Sequence, residues 1–391
     1  MDKKKKIKIL FLSSWYPGKL FPTLGNFCQK HAESVSGLAE INVLYACGDP
    51  NQKSAYVLEK TEEKGVHVTR VYYARSSGWF LLSDLLNMIR YFSALNLGIK
   101  SIYGTTEKPD VVHHNIIFPA GMFARYLKRK HKIPYLITEN WTGYLPENSG
   151  AYRGLFRKWA TGKICKEADL LTPVTKNLEK ALKSHNLGKK FRVIYNVTDT
   201  GIFKPGSPDS GEPVTFIHVS TLKEDHKNIS GIIRVAHRLD GKGLPFRIRV
   251  IHDESNQTAL NVIKELNVNP RIFEFLGSRE PEGVAREMAK CHAFLLFSNY
   301  ENLPCVMVEA MACGLPVIAT DVGGISEHLK PEFGFLIAPR DEEALEASME
   351  AIIKGKEFNS DEIRKYAVEN FSYEAIGQKF FSIYKELSGK K

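Results

Sequence analysis

Two short apolar runs, KIKILFLSS near the start and PVTFIHVST past the middle, constrain the fold more than any other feature. Each is short, rich in Ile, Val and Phe, and bounded by polar residues. Such runs fit strands covered on both faces, as in parallel sheets. Similar runs recur after each, at 41–45, 67–72, 110–114, 135–138 and 170–173, then at 246–251, 272–276, 293–297 and 317–320. Helix-like stretches separate them, and strands alternating with helices mean right-handed βαβ units. The prediction is an α/β protein of two doubly wound, Rossmann-like domains. Between the halves stands KPGSPDSGEP, residues 204–213, whose three prolines and two glycines read as a hinge. The expected domains are 1–204 and 205–372, with a C-terminal helix at about 373–391 packing back on the first. The strand C-termini of the two sheets are expected to face a central cleft, the usual place for a ligand.

At 391 residues the chain is long enough for two cores. Lys and Arg outnumber Asp and Glu by 54 to 44, a formal charge of +10. That balance suits an anionic partner such as a nucleotide or an anionic membrane surface. No RNA-binding signature of the aromatic type is present, so no nucleic acid partner is expected. The lysines at 3–6 precede an apolar segment too short for a signal peptide, and no apolar run reaches roughly 18 residues. Six scattered cysteines without a C-x-x-C pair read as free thiols in a reducing cytosol. Apolar residues at 82, 85, 86, 89, 92 and 95 form a helical stripe. It reads first as a helix packed on the first sheet, and otherwise as a face in contact with a membrane. With the lysine run it leads to a cytoplasmic location, weakly peripheral to an anionic inner leaflet.

The chemistry concentrates in ENLPCVMVEAMACGLPVIAT, residues 301–320. CHAFLLFSN reads as a strand and YEN as a loop. A helix is predicted over 303–313, with Pro304 in its first turn and Gly314 past its end. Glu301 then lies in the loop, beside a helix N-terminus that favours anions. Glu309 lies inside a helix that is apolar all round, hence buried, and a buried carboxylate needs donors. It is about 8 Å along the axis from Pro304, within reach of a ligand docked at the helix end. A ribose diol would serve, and so would a buried Lys or Arg. Gly323-Gly324, in the turn after the next strand, offers backbone N–H groups to a phosphate.

SNYENLPCVMVEAMACGLPVIATDVGGISEHL resembles the donor-binding signature of glycosyltransferase family 4, the retaining sugar transferases of GT-B fold. Its Glu-x7-Glu pair matches Glu301 and Glu309. SSWYPGKLFPTLGNF, YNVTDTGIFKP and HKNISGIIRVAH are similar to further family segments, so the likeness spans nearly the whole chain. The resemblance implies that Glu309 binds the nucleotide ribose and Glu301 the donor sugar's hydroxyls. Backbone N–H groups around Asn302, Leu303 and Pro304 would face sugar and diphosphate, Lys227 would neutralise the diphosphate, and Gly25 would let the first loop approach it.

Three positions depart from the family pattern. Ser220-Thr221 stands where many relatives have Gly-Arg, which removes one cation. Asn115 and Asn140 stand where relatives often carry histidines, at the acceptor and beside the reacting sugar. Asn can still donate and accept hydrogen bonds. His113 and His114 read as packed histidines, or with Asn115 as acceptor contacts.

The implied activity is transfer of a hexosyl or N-acetylhexosaminyl group from a UDP- or GDP-linked sugar to a glycan or lipid-linked acceptor hydroxyl, in surface polysaccharide or glycolipid synthesis. Anomeric retention would follow front-face attack. There is no Asp-x-Asp pair in the chain, so neither metal nor any other cofactor is expected. Two rivals are a non-catalytic sugar-nucleotide-binding subunit and a glycoside hydrolase, which also pairs two carboxylates. A nicotinamide dehydrogenase is excluded, because no G-x-G-x-x-G follows the first strand.

Overall fold

A computed structural model describes residues 6–76, 80–208 and 213–390. The first unit comprises residues 1–174, 178–197 and 373–391; the second comprises 175–177 and 198–372. The chain thus passes from one to the other after Val197, seven residues ahead of the boundary at 204. Part of the Pro-Gly segment, residues 209–212, lies outside the described residues.

The first unit runs β1 (Lys8–Ser13), α1 (Asn26–Val35), β2 (Glu40–Asp49), β3 (Tyr56–Glu63), β4 (Val66–Ala74), α2 (Phe80–Tyr103), β5 (Val111–Asn115), α3 (Gly121–His131), β6 (Tyr135–Glu139), α4 (Leu155–Glu167), β7 (Leu170–Pro173) and α5 (Lys176–Ser184), whose first two residues belong to the second unit. Its seven strands are ordered β3-β4-β2-β1-β5-β6-β7, all parallel except for β3, which is antiparallel to β4. Alternate residues of β1 feed two cores. Leu10 and Leu12 pack with residues of α2, α3, α4 and α5, while Ile9 and Phe11 pack on the other face with α1 and the C-terminal helix. Burial on both faces explains why these strands read as continuous apolar runs rather than as alternation. β3 escapes that reading, because YVLEKTEE is a half-exposed edge strand with few apolar residues.

The second unit runs β8 (Val214–Ser220), α6 (Glu224–Lys227), α7 (Ile229–Gly241), β9 (Phe246–His252), α8 (Gln257–Glu265), β10 (Phe273–Gly277), α9 (Pro281–Met288), β11 (Ala293–Leu296), α10 (Cys305–Ala312), β12 (Val317–Thr320), β13 (Gly334–Ile337), α11 (Glu342–Ile353) and α12 (Ser360–Phe371). Its six strands are parallel in the order β10-β9-β8-β11-β12-β13. Three helix starts carry side-chain caps: Asn228 accepts from Gly231 N–H, Asp341 from Ala344, and Asn359 from Asp361 and Glu362.

The last helix, α13 (Tyr373–Ser388), belongs to the first unit and packs on α1. It buries Ile376, Phe380, Ile383 and Tyr384 completely, each side chain contributing about 1.5–3 kcal/mol of transfer free energy.

The stripe on α2 divides. Tyr91, Ala94 and Leu95 are buried against the sheet, whereas Leu82, Leu85, Leu86 and Ile89 are exposed. The simple reading of a helix packed on the sheet therefore holds for its second half alone. Residues 3–5 and Trp79 lie outside the described residues, and Lys6 is exposed.

Candidate functional site

Three segments of the second unit build one polar cluster. Glu301 follows β11 in a short loop, and Lys227 ends α6, the single turn after β8. Their side chains, 74 residues apart, form a buried ion pair. Ser298 donates to the same carboxylate oxygen at 2.9 Å, and His226 Nε2 lies 3.6 Å from it. Burial alone would raise the pKa of Glu301, but Lys227 and His226 outweigh it and hold the carboxyl well below its usual range. The frame is tied from several sides. Asn299 N–H donates to the carbonyl of His226 at 2.8 Å, its amide donates to Asp225 O at 3.0 Å, and Tyr300 stacks on His226 at 4.2 Å. Thr320 donates to Ser298 O at 2.6 Å.

α10 starts after Pro304, whose φ of −68° and ψ of 116° make it the capping residue rather than part of the first turn. The helix is shorter than the predicted span of 303–313, since Leu303 is a bend, Pro304 is extended and Gly314 (φ 74°) turns the chain out. Glu309 is buried, as are Met307, Val308, Ala310, Met311 and Ala312. Leu303 is buried as well. Asn302 is buried too, and it is committed to the protein. Its Oδ1 accepts from Thr175 Oγ1 at 2.8 Å, within the second unit, and its carbonyl accepts from Gly324 N–H at 2.8 Å.

That last bond takes the N–H of Gly324 out of the pair read as meeting a phosphate. The pair is glycine for a packing reason. Gly323 has φ 62°, and a Cβ there would lie 2.1 Å from Glu301 O. Thr221, at the end of β8 where an arginine was missed, has a buried hydroxyl with no hydrogen-bond partner among the described residues. Ser220 beside it is engaged by His218 Nε2 at 2.7 Å and accepts from Leu222 N–H at 3.1 Å.

The remaining candidates belong to the first unit. Gly25 (φ 74°) precedes α1, and a Cβ would lie 2.5 Å from the Trp15 carbonyl. Contact with its own chain is thus enough to require glycine there, before any ligand is invoked. His113 and His114 are fully buried in β5. His113 bonds Tyr384 Oη (2.6 Å) and Thr138 Oγ1 (2.7 Å); His114 reaches the carbonyls of Leu12 (2.9 Å) and Ile117 (3.0 Å). Desolvation holds both pKa values below the ordinary histidine range; a neutral His114 ring has one N–H and donates to only one of its two carbonyls. Each ring is held inside the protein, His113 by two hydroxyls and His114 by backbone carbonyls, which fits the reading of packed histidines. Asn115 differs. It is fully buried at the C-terminal end of β5, and neither atom of its amide has a hydrogen-bond partner among the described residues. Asn140 is half-buried after β6.

The sequence reading missed Glu139. This fully buried carboxylate at the end of β6 accepts from Ile117 N–H with one oxygen, and from Asn140 and Trp141 N–H with the other, at 2.8–2.9 Å. Burial raises its pKa to about 7 despite these three bonds. It ties the loop after β5 to the loop after β6. Next to it Ile116 has φ 61°, a costly conformation for a β-branched residue. The signal available in the sequence was only a charged residue interrupting the apolar run YLIT.

Residues 199–370 match the family described as Glycosyl transferases group 1, and residues 40–201 match Glycosyltransferase Family 4. The chain is a group 1, family 4-like glycosyltransferase. An uncharacterized glycosyltransferase of Methanocaldococcus jannaschii is 28% identical to it over 72% of this chain and 77% of its own length. The N-acetylgalactosamine-N,N'-diacetylbacillosaminyl-diphospho-undecaprenol 4-alpha-N-acetylgalactosaminyltransferase of Campylobacter jejuni is 26% identical over 69% and 70%. Sucrose-phosphate synthase of Thermosynechococcus elongatus has the same fold, with a TM-score of 0.77 at 18% identity over 98% of this chain and 100% of that one. Anabaena HepE, solved in complex with UDP-glucose, aligns at 0.67 and 17% identity over 97% and 100%. This glycosyltransferase is therefore a GT-B protein of two parallel-sheet α/β domains. Among its described residues, no helix is long and apolar enough to cross a membrane.

Proposed function

We propose that the protein transfers a hexosyl or N-acetylhexosaminyl group from a nucleotide diphosphate sugar to an acceptor hydroxyl with anomeric retention. The observation that carries this reading is the buried Lys227–Glu301 pair in the loops around the N-terminal end of α10, the helix that buries Glu309. Breaking the bond between C1 and the diphosphate oxygen leaves negative charge on the diphosphate. Lys227 is positioned to meet that charge, together with the N-terminal end of α10. The acceptor oxygen forms the new bond to C1 from the same face, and its proton passes to the departing phosphate oxygen. This route needs neither a protein base nor a metal ion. Glu301 then serves twice, holding Lys227 while the site is empty and meeting the sugar hydroxyls when it is filled. Glu309 takes the ribose diol.

The Campylobacter relative is named for a diphospho-undecaprenol acceptor. By that analogy the acceptor here is lipid-linked, the product a surface polysaccharide or glycolipid, and the protein works in the cytoplasm at the inner face of the membrane. Asn115 and Asn140, at the C-terminal edge of the first sheet, are assigned to acceptor and reacting sugar. The test is a panel of UDP- and GDP-sugars incubated with detergent-solubilised lipid acceptors and scored for nucleotide release and product anomer. Release with a retained anomer supports the reading, and an inverted product overturns it. Nucleotide binding without turnover would favour a non-catalytic subunit, a rival to which the uncharged, unpartnered Thr221 lends support.

A further inference from the structure

The described chain concentrates its exposed large apolar side chains on the first unit, and mostly on two helix starts. On α2, Leu82, Leu85, Leu86, Met88 and Ile89 are exposed, Leu82 and Leu85 by 64% and 57%. On α4, Leu155 is 90% exposed, Trp159 53% and Phe156 48%. The described residues of the second unit contribute only Leu260 and Leu336.

The topology sets the two helix starts at one edge of one sheet face, α2 over β4 and β2 and α4 beside α3. α2 leaves the C-terminal end of β4, and α4 leads into β7; both strands run parallel to their sheet neighbours β2 and β6. Both helices therefore begin at the C-terminal edge of the sheet. Both also insert into one core, Tyr91, Ala94 and Leu95 from α2 and Ile164 and Cys165 from α4, so they cover the same face. Charge follows the same pattern. Arg153 and Lys158 are exposed at the start of α4 and Lys163 and Lys166 further along it, and its one acid, Glu167, is engaged by Arg125 and Arg129; the start of α2 exposes one acid, Asp84.

We propose that this corner of the first unit docks on an anionic lipid bilayer, with the opening turns of α2 and α4 entering the interface. An aromatic and aliphatic helix start flanked by lysines is the pattern of interfacial attachment, the ammonium groups staying at headgroup level. A second copy of the chain fits less well, because the lysines of α4 would face their own counterparts across a symmetric contact. The inference rests on the reading that the acceptor is lipid-linked. Asn115, Glu139 and Asn140 lie at the same sheet edge, so docking there brings the acceptor side of the protein to the bilayer.

The experiment is co-sedimentation of the full chain with phosphatidylglycerol–phosphatidylcholine vesicles, at low and high salt. Binding is expected, and part of it survives high salt, because apolar insertion is not screened. A variant combining Leu85→Gln, Ile89→Gln, Leu155→Gln and Trp159→Gln should lose at least about tenfold in partition, since each exposed anchor removed forfeits buried apolar area. A second variant, Lys158→Glu with Lys163→Glu, should lose binding mainly at low salt. Circular dichroism and a thermal melt matching the wild type show that the variants are folded, and calorimetry with UDP and GDP reports separately on the second unit. Wild-type binding by the quadruple variant would overturn the proposal, as would absence of vesicle binding by the wild type. So would a dimer in sedimentation velocity that the variant dissociates without changing vesicle binding. A wild type that binds vesicles but neither nucleotide sustains this surface and sinks the transferase reading.

Discussion

Lys227 and Glu301 come from two different βα loops and meet as a buried ion pair, with Ser298 and His226 closing around the same carboxylate. The pair has no sequence proximity to support it, and it places the one cation assigned to the diphosphate in the grip of a carboxylate assigned to the sugar.

Removing the cation alone leaves a buried, uncompensated carboxylate. Lys227→Met should lower folding stability by about 3–5 kcal/mol, measured by urea denaturation at neutral pH. The pH dependence has a definite sign. Glu301 has a folded pKa of about 2 against 4.5 for the free group, so its contribution is present above pH 4.5 and is lost as the pH falls toward 2. The stability difference between wild type and Glu301→Gln should therefore shrink across that window. A difference independent of pH would mean that the pair does not form in solution.

The two glutamates should separate in binding experiments. Glu309→Gln should weaken nucleotide diphosphate and sugar nucleotide alike, by about 1–3 kcal/mol, the scale of a charged hydrogen bond lost from a buried site. Glu301→Gln releases Lys227 from its partner, so free nucleotide diphosphate should bind no more weakly while kcat falls. Equal losses of nucleotide affinity in calorimetry would show the roles to be wrongly divided.

Glu139 gives a prediction of opposite sign on the pH axis. Burial raises its pKa from 4.5 to about 7, so the folded state holds the proton more tightly than the unfolded one. Its contribution to stability is full below pH 4.5 and declines as the pH rises through 7. Glu139→Gln should flatten that decline, and should cost about 1–3 kcal/mol because one of its atoms no longer accepts from a buried N–H. Paired melts from pH 4 to pH 8 on the two proteins decide it.

Gly323→Ala tests the close approach of two loops. Its left-handed backbone alone disfavours Ala by about 1–2 kcal/mol, and the new methyl would meet Glu301 O at 2.1 Å. The substitution should destabilise the protein by more than the backbone figure and reduce kcat with it. A denaturation midpoint equal to wild type would show that the loop has room to shift.

Metal independence is the remaining expectation, since Lys227 and the end of α10 are assigned the charge that a divalent ion would otherwise carry. Transfer should proceed at an undiminished rate in EDTA. Loss of rate that Mg²⁺ or Mn²⁺ restores would reassign that role.

What the sequence determined by itself was local and periodic. Unbroken apolar runs such as LFLS in β1 specify strands buried on both faces, and their alternation with helices specifies two parallel sheets. The spacing of Glu301 and Glu309 around Pro304 placed one carboxylate in a loop and one in a helix. Only the tertiary structure decided which groups are spent on one another. Lys227 closes on Glu301, Gly324 N–H on Asn302, and His113 on Tyr384 of α13, across 74, 22 and 271 residues. A side chain's pattern along the chain reports which face it shares, whereas its partner depends on how distant loops stack at a sheet edge. For the same reason the stripe on α2 looked uniform in sequence, yet the sheet ends beneath it, covering Leu95 and leaving Leu85 bare.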